Sequence, residues 1–182
     1  MNWQLFNIIF PLCALCGLLS CCDTSRPAIV APTPMTSENK NTMIEYNREM
    51  VERDDRQIAT YIRRHRLPMQ RFDDGYYGMI TKKGEGIVAT DNTVLTLRVT
   101  IRLLTGEVCY KDRIITFRPG NTAEISGLHR VAAWLQKGTQ ASYIFPPLLA
   151  YGIYGDGDKI PQRSILVYDI EVLNVAPTNA KL

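Results

Sequence analysis

The chain has 182 residues, 46% of them hydrophobic and 21% charged, with a net charge of +3. That is enough chain for one globular domain and a tail, and with no Lys/Arg block or basic-aromatic stripe it excludes a nucleic-acid partner. Only two histidines are present, and four of the five cysteines fall in the first 22 residues, so the remainder has neither paired metal spacing nor a disulfide framework, and no metal or cofactor is expected.

The stretch Leu5 to Ser20 is apolar and uncharged. At about 16 residues it is short of the roughly 20 that a membrane span needs, and it fits the core of a signal peptide. It ends in Leu18-Leu19-Ser20-Cys21, which resembles the bacterial lipoprotein box: an apolar and a small residue before the cysteine. The resemblance implies cleavage after residue 20, a thioether-linked diacylglycerol on Cys21 and acylation of the new amine. The mature chain would then be lipid-anchored to a membrane of a bacterial cell envelope, on its periplasmic or cell-surface side. Several acyl chains anchor stably where one is marginal. The leader MNWQLFN lacks the Lys or Arg with which signal peptides normally begin. Residues 21–40 carry Pro27, Pro32 and Pro34 among Ser, Thr and Asn and read as an extended linker.

Asn41 to Arg66 reads as one charged helix. Met43, Met50 and Ile58, with Ile44, Val51 and Ile62 beside them, form a narrow apolar stripe. Glu52 and Arg56 make an attractive pair at i,i+4. Arg63-Arg64-His65-Arg66 places positive charge in the last turn, where it suits the helix dipole, and Leu67-Pro68 ends the helix. Such a helix lies solvated on its own domain or pairs with a second copy to make a homodimer.

The domain proper is expected over residues 77–175. A turn-rich stretch from Asp73 leads into a strand at Tyr77 to Thr81. In Thr93 to Leu103, the residues Leu95, Leu97, Val99, Ile101 and Leu103 alternate with Thr96, Arg98, Thr100 and Arg102, the pattern of an antiparallel strand with one wet face. Gly106-Glu107 turns the chain into Val108 to Phe117. Leu128, Val131, Ala132 and Leu135 recur at helical spacing between Gly127 and Gly138. Ala141, Tyr143 and Phe145 then alternate with Ser142 and Ile144 until Pro146-Pro147, a Gly-rich loop runs from Tyr151 to Gln162, and Ser164 to Leu173 alternates again. The fold class expected is α+β: a curved antiparallel β-sheet wrapped over one central helix, preceded by the charged N-terminal helix. Cys109 reads as a small buried hydrophobe and His129 as solvated. Asp156-Gly157-Asp158 lacks the spaced acidic partners of a calcium loop.

Four segments in this order carry a resemblance: FRPGNTAEISG from Phe117, GLHRVAAWLQKG from Gly127, FPPLLAYG from Phe145, and IPQRSILVYDIEVL from Ile160 to Leu173. The series resembles the FK506-binding-protein (FKBP-type) family of peptidyl-prolyl cis-trans isomerases, without a gap from about Ile115 to Leu173 and more loosely back to about Tyr77. With the lipid box, the layout resembles gliding-associated isomerase-like lipoproteins. The resemblance implies an apolar hollow for a prolyl peptide, lined by Val99, Cys109, Tyr110, Ile115, Leu128 and Ile160. Ile125, Tyr151 and Tyr168 would be its catalytic positions, the Ile125 backbone N–H and the Tyr151 hydroxyl holding substrate carbonyls. Four positions depart from the family pattern: Val99 stands for a Tyr, Tyr110 for an Asp, Ile115 for an aromatic and Leu128 for a Trp. The implied function is a weak isomerase acting on proline-containing polypeptides and assisting the folding of exported proteins. The alternatives are a non-catalytic chaperone or binding module of the same fold, and a lipoprotein subunit of an envelope machine.

Overall fold

The computed structural model describes residues 37–120 and 124–178. The leader, the Cys21 box and the linker as far as residue 36 lie outside the described residues. Ser37–Leu182 is one compact unit.

Helix α1 spans Ser37–His65, starting before Asn41 and stopping one residue short of Arg66. Its end is a Schellman motif. Arg66 takes a left-handed conformation (φ 54°), Leu67 N–H donates to Ile62 C=O at 3.1 Å, and Arg66 N–H donates to Arg63 C=O at 3.3 Å. Pro68 follows, where the helix cannot continue. The strands are β1 Gln70–Arg71, β2 Tyr77–Lys82, β3 Glu85–Val88, β4 Thr93–Leu103, β5 Val108–Phe117, β6 Gln136–Lys137, β7 Gln140–Phe145 and β8 Leu166–Pro177, with helix α2 at Ser126–Ala132. Six of them form one antiparallel sheet in the order β1-β2-β7-β8-β4-β5, and β3 pairs with β6 in a separate two-stranded ribbon. The sheet wraps over α2 without closing. The α+β class, the sheet and the charged leading helix are therefore as the sequence implies.

Alternation sorts the sheet into two faces. Leu95, Leu97, Val99 and Ile101 of β4 and Leu166, Tyr168, Ile170 and Val172 of β8 are buried in the main core with Leu128, Val131 and Ala132 of α2. The opposite face of the same strands carries charge. Arg98 of β4 pairs with Glu171 of β8, its register partner, and Arg102 pairs with Asp169, which also accepts from the Ser142 hydroxyl at 2.6 Å. Opposite charges on facing strands support the register.

Two details of α2 differ from expectation. The helix is seven residues long, and Leu135 lies beyond it, yet is fully buried. Tight turns from Trp134 N–H to Val131 C=O and from Leu135 N–H to Ala132 C=O carry the chain on, so the helical spacing still delivers Leu135 to the core. Gly127 sits inside the first turn rather than before the helix, because the helix presses against the end of β7. A Cβ there would lie 2.6 Å from Phe145 Cδ1 and 2.9 Å from the Leu149 carbonyl oxygen.

A second, smaller core lies on the other face, under the C-terminal half of α1. Ile58 is fully buried against Tyr77, Ile144, Ile165 and Val167, with Tyr61 and Ile62 packed alongside. Met43, Ile44 and Val51 of the expected stripe are exposed instead. The helix meets the sheet only over its last turns, so its inner face is set there. Asp54, 6% exposed, takes a place on that inner face. Its carboxylate accepts from Arg163 Nη2 at 3.3 Å, and Asp55 accepts from Arg71 Nε at 2.9 Å and the Tyr77 hydroxyl at 3.1 Å. Burial pushes the Asp54 carboxyl above its ordinary value, while Arg163 draws it back. Arg163→Met should cost about 2 kcal/mol at neutral pH, since removing one partner leaves a buried charge uncompensated. A carboxyl with a raised folded pKa binds its proton more readily when folded, so this loss should shrink as pH falls and Asp54 protonates. Urea titrations at pH 7 and pH 4 check both statements.

Candidate functional site

The nine residues implied for the prolyl hollow come together. β4 contributes Val99, β5 contributes Cys109, Tyr110 and Ile115, β8 contributes Tyr168, and the entry to α2 contributes Ile125 and Leu128. The loop from Tyr151 supplies Tyr151 and Ile160. Val99, Cys109, Ile115, Ile125, Leu128, Ile160 and Tyr168 belong to one contiguous buried cluster, and Tyr110 and Tyr151 pack half-buried against it.

Tyr168 is one of the largest side chains in this cluster. It is fully buried, with the Phe145 ring edge-on at 5.3 Å. Burial first, and then neighbouring Tyr151, push its hydroxyl far above the ordinary phenol value, so it stays neutral. The position of Tyr151 follows from the prolines before it. Pro146 and Pro147 lack the N–H groups a strand needs, and the chain turns into a short 3-10 helix at Pro147–Leu149. The Pro147 carbonyl then accepts from Ala150 N–H at 3.1 Å and from Gly152 N–H at 2.8 Å, fixing the backbone on both sides of Tyr151. Arg163 N–H donates to Gly152 C=O at 3.2 Å and closes the base of the loop.

Cys109 is buried, and burial, with Glu107 and Asp156 nearby, pushes its thiol up and so disfavours the thiolate. The Tyr110 hydroxyl is engaged by the loop that follows Tyr151. It donates to Asp156 Oδ2 at 2.5 Å and lies 3.3 Å from Asp158 Oδ2, and the Arg113 guanidinium at 5.1 Å and the Lys159 ammonium at 5.2 Å lie over the Tyr110 ring. The hydrogen bond to Asp156 is the main cause of an upward shift of the phenol. Asp156 is the partner of Tyr110 that sequence reasoning missed. Its only local signal is the pair of glycines around it, both at positive φ: Gly155 at 75° and Gly157 at 77°. His129, expected to be solvated, accepts from Gly120 N–H through Nδ1 at 3.0 Å and packs edge-on to Phe117 at 5.4 Å.

Among the described residues, no group of three or more His, Cys, Asp or Glu is placed to hold a metal ion. A separate apolar hollow of about 670 Å³ lies at the other end of α2, lined by Phe72, Met79, Ile80, Trp134 and Tyr143 among others.

Residues 86–173 match the profile of the FKBP-type peptidyl-prolyl cis-trans isomerase family. A "probable FKBP-type peptidyl-prolyl cis-trans isomerase FkpA" of Neisseria meningitidis serogroup B is 33% identical over 106 residues, 56% of this chain and 38% of the relative. The FkpA isomerase of Buchnera aphidicola is 29% identical over 111 residues, 59% of this chain and 45% of the relative. The crystal structure of FkpA from Escherichia coli superposes with a TM-score of 0.56 at 19% identity, covering 80% of this chain and 76% of that one. A peptidyl-prolyl cis-trans isomerase from Pseudomonas syringae gives 0.57 at 24% identity, covering 69% of this chain and 96% of that one. At these identities the superpositions speak for the fold. The chain carries an FKBP-type peptidyl-prolyl isomerase domain. It spans less than half the length of these two sequence relatives.

Proposed function

We propose that this protein is a prolyl isomerase of modest efficiency, acting on proline-containing segments of exported polypeptides. The observation that carries the reading is the gathering of Ile125, Leu128, Ile160 and Tyr168 into one apolar cluster beneath Tyr151, at the positions the family motifs assign. The chemistry needs no nucleophile. Resonance sets a rotation barrier of about 18–20 kcal/mol for the peptide bond, and the twisted amide has lost that resonance and much of its polarity. A dry apolar wall therefore opposes the planar ground state more than the twisted transition state. In this reading the Tyr151 hydroxyl and the Ile125 N–H hold the flanking carbonyls, while Cys109, Ile115 and Val99 fill the wall.

Tyr151→Phe tests it, because the change deletes one hydroxyl and little volume. Isomerisation of a proline peptide, followed by a protease-coupled or NMR exchange assay, should fall about tenfold, with an unchanged melting temperature. Equal activity in the two proteins would remove the carbonyl contact.

The lipid on Cys21, the tether as far as residue 40 and the envelope location belong to the same proposal, supported by the Leu-Leu-Ser-Cys sequence and the Pro-rich stretch after it. Mass spectrometry of membrane-extracted protein should find a mature chain that begins at a modified Cys21; an unmodified Met1 terminus would sink the idea. A homodimer through α1 is proposed on the exposure of Met43, Ile44 and Tyr46 along the helix's first half, each about half exposed. The chaperone reading is favoured by a different observation. The apolar hollow beside Trp134, itself 58% exposed, offers unfolded chains a surface away from the prolyl site. Peptide binding without turnover would select it.

A further inference from the structure

We infer that Tyr110 is a positioning residue for prolyl isomerisation, acting through Asp156 to hold Ile160 in place. The inference rests on the isomerase reading and concerns a residue at which the chain departs from its family. The Tyr110 hydroxyl donates to one Asp156 oxygen, Oδ2, at 2.5 Å. The other oxygen, Oδ1, accepts from the Ile160 N–H at 2.7 Å and from the Asp158 N–H at 3.0 Å. Asp156 N–H in turn donates to Ile160 C=O at 3.2 Å, so residues 156 and 160 are joined in both directions. Gly155 makes this closure possible, since a Cβ there would lie 2.2 Å from the Ile160 carbonyl oxygen. The segment is thus a compact knot with Ile160, 3% exposed, as the side chain it delivers to the wall of the hollow.

A knot on a loop still moves as a body unless something ties it to the sheet. Tyr110 is that tie, because it belongs to β5. The bond is charge-assisted, the stronger class of hydrogen bond. Burial alone would raise the Asp156 carboxyl, yet the Tyr110 hydroxyl and the Ile160 and Asp158 amides hold it below its ordinary value, consistent with a carboxylate at this node. Arg113 and Lys159 lie over the Tyr110 ring and add cation–π attraction to it. The family's Asp at this position is therefore replaced by a group that serves the site from behind. A wall of the hollow that is free to swing lowers the fraction of molecules ready to receive a proline ring, and apparent affinity falls by that fraction.

Tyr110→Phe isolates the hydroxyl, because the ring and its two cations remain. In the full-length protein, KM for a proline peptide should rise about tenfold while kcat stays within about twofold, the signature of lost uniform binding. Asp156→Asn is the second variant. It retains an oxygen for the two amides but loses the charge, and it should raise KM similarly. The double variant should be no worse than either single one, as expected for two ends of one contact. Amide exchange at Ile160 and Asp158 should quicken in both variants with the melting temperature unchanged. Turnover in the wild type with unchanged or lower KM in both variants would overturn the inference alone. Absence of turnover in the wild type would overturn the isomerase reading and this inference with it.

Discussion

Removing residues 37–66 is expected to cost the domain most of its stability. The deletion strips α1 from the rear of the sheet and uncovers Tyr77, Ile144, Ile165 and Val167, all of which are buried beneath it. Burial of each large apolar side chain contributes roughly 1.5–3 kcal/mol. Four such side chains, with Ile58 itself lost, approach the whole of a typical net stability of about 5–15 kcal/mol. The electrostatic part acts in the same direction, because Arg163 loses Asp54 while Arg71 and the Tyr77 hydroxyl lose Asp55. Ile58→Ala should report the same contact in miniature, at about 2–5 kcal/mol. Denaturant titration of the shortened and full-length proteins measures the effect. A chain starting at Tyr77 that still melts cooperatively at the full-length midpoint would place the domain boundary there and make α1 dispensable.

Gly127→Ala should damage both fold and site. The added methyl meets Phe145 Cδ1 at 2.6 Å and Cε1 at 2.8 Å, and the Leu149 carbonyl oxygen at 2.9 Å. Two of these atoms belong to a packed ring and one to backbone, so none yields easily. Overpacking of this kind costs about 1–3 kcal/mol. The displaced Phe145 leans on Tyr168, and Leu149 lies two residues before Tyr151. Isomerase activity should therefore fall further than the melting temperature alone predicts. A variant with wild-type activity and a wild-type melting temperature would show that α2 can back away from β7.

The strand that alternates strictly was legible in the sequence to the residue: Thr93–Leu103 has the expected bounds, because one face is core and the other wet. Val108–Phe117 also has the expected bounds, read from the turn at Gly106-Glu107, although its exposed run at residues 111–114 and the left-handed Asp112 break the alternation. Motif order also brought together nine residues that the fold gathers into one cluster. What escaped was information held by distant partners. Asp54 on the inner face of α1 breaks the apolar stripe and makes sense only with Arg163, 109 positions on. Met43 and Ile44 match the stripe as well as Ile58 does, and nothing local says where along the helix the sheet begins. β1 and β6 are two residues each, too short for any periodicity, and their place comes from backbone approach. At Gly84, for instance, a Cβ would fall 2.3 Å from the Lys137 carbonyl oxygen. Tyr110 looked like a lost polar group because Asp156, its acceptor, lies 46 residues downstream.

The position of β8 bears on how such a chain comes to be folded at all. β8 comes last in chain order among the described strands, yet it stands between β7 and β4 near the middle of the sheet. During synthesis the β4–β5 hairpin can form early, and β2 can find β7 once residue 145 has emerged. These are two separate pieces until residues 166–177 arrive to pair with both. The nascent domain thus stays open until β8 has emerged. Pairings of such long sequence separation also form slowly, since loop closure must precede any gain from contact. Late closure of this kind leaves the sheet in two pieces while the intervening residues are added, and joins them into one body only when β8 is delivered.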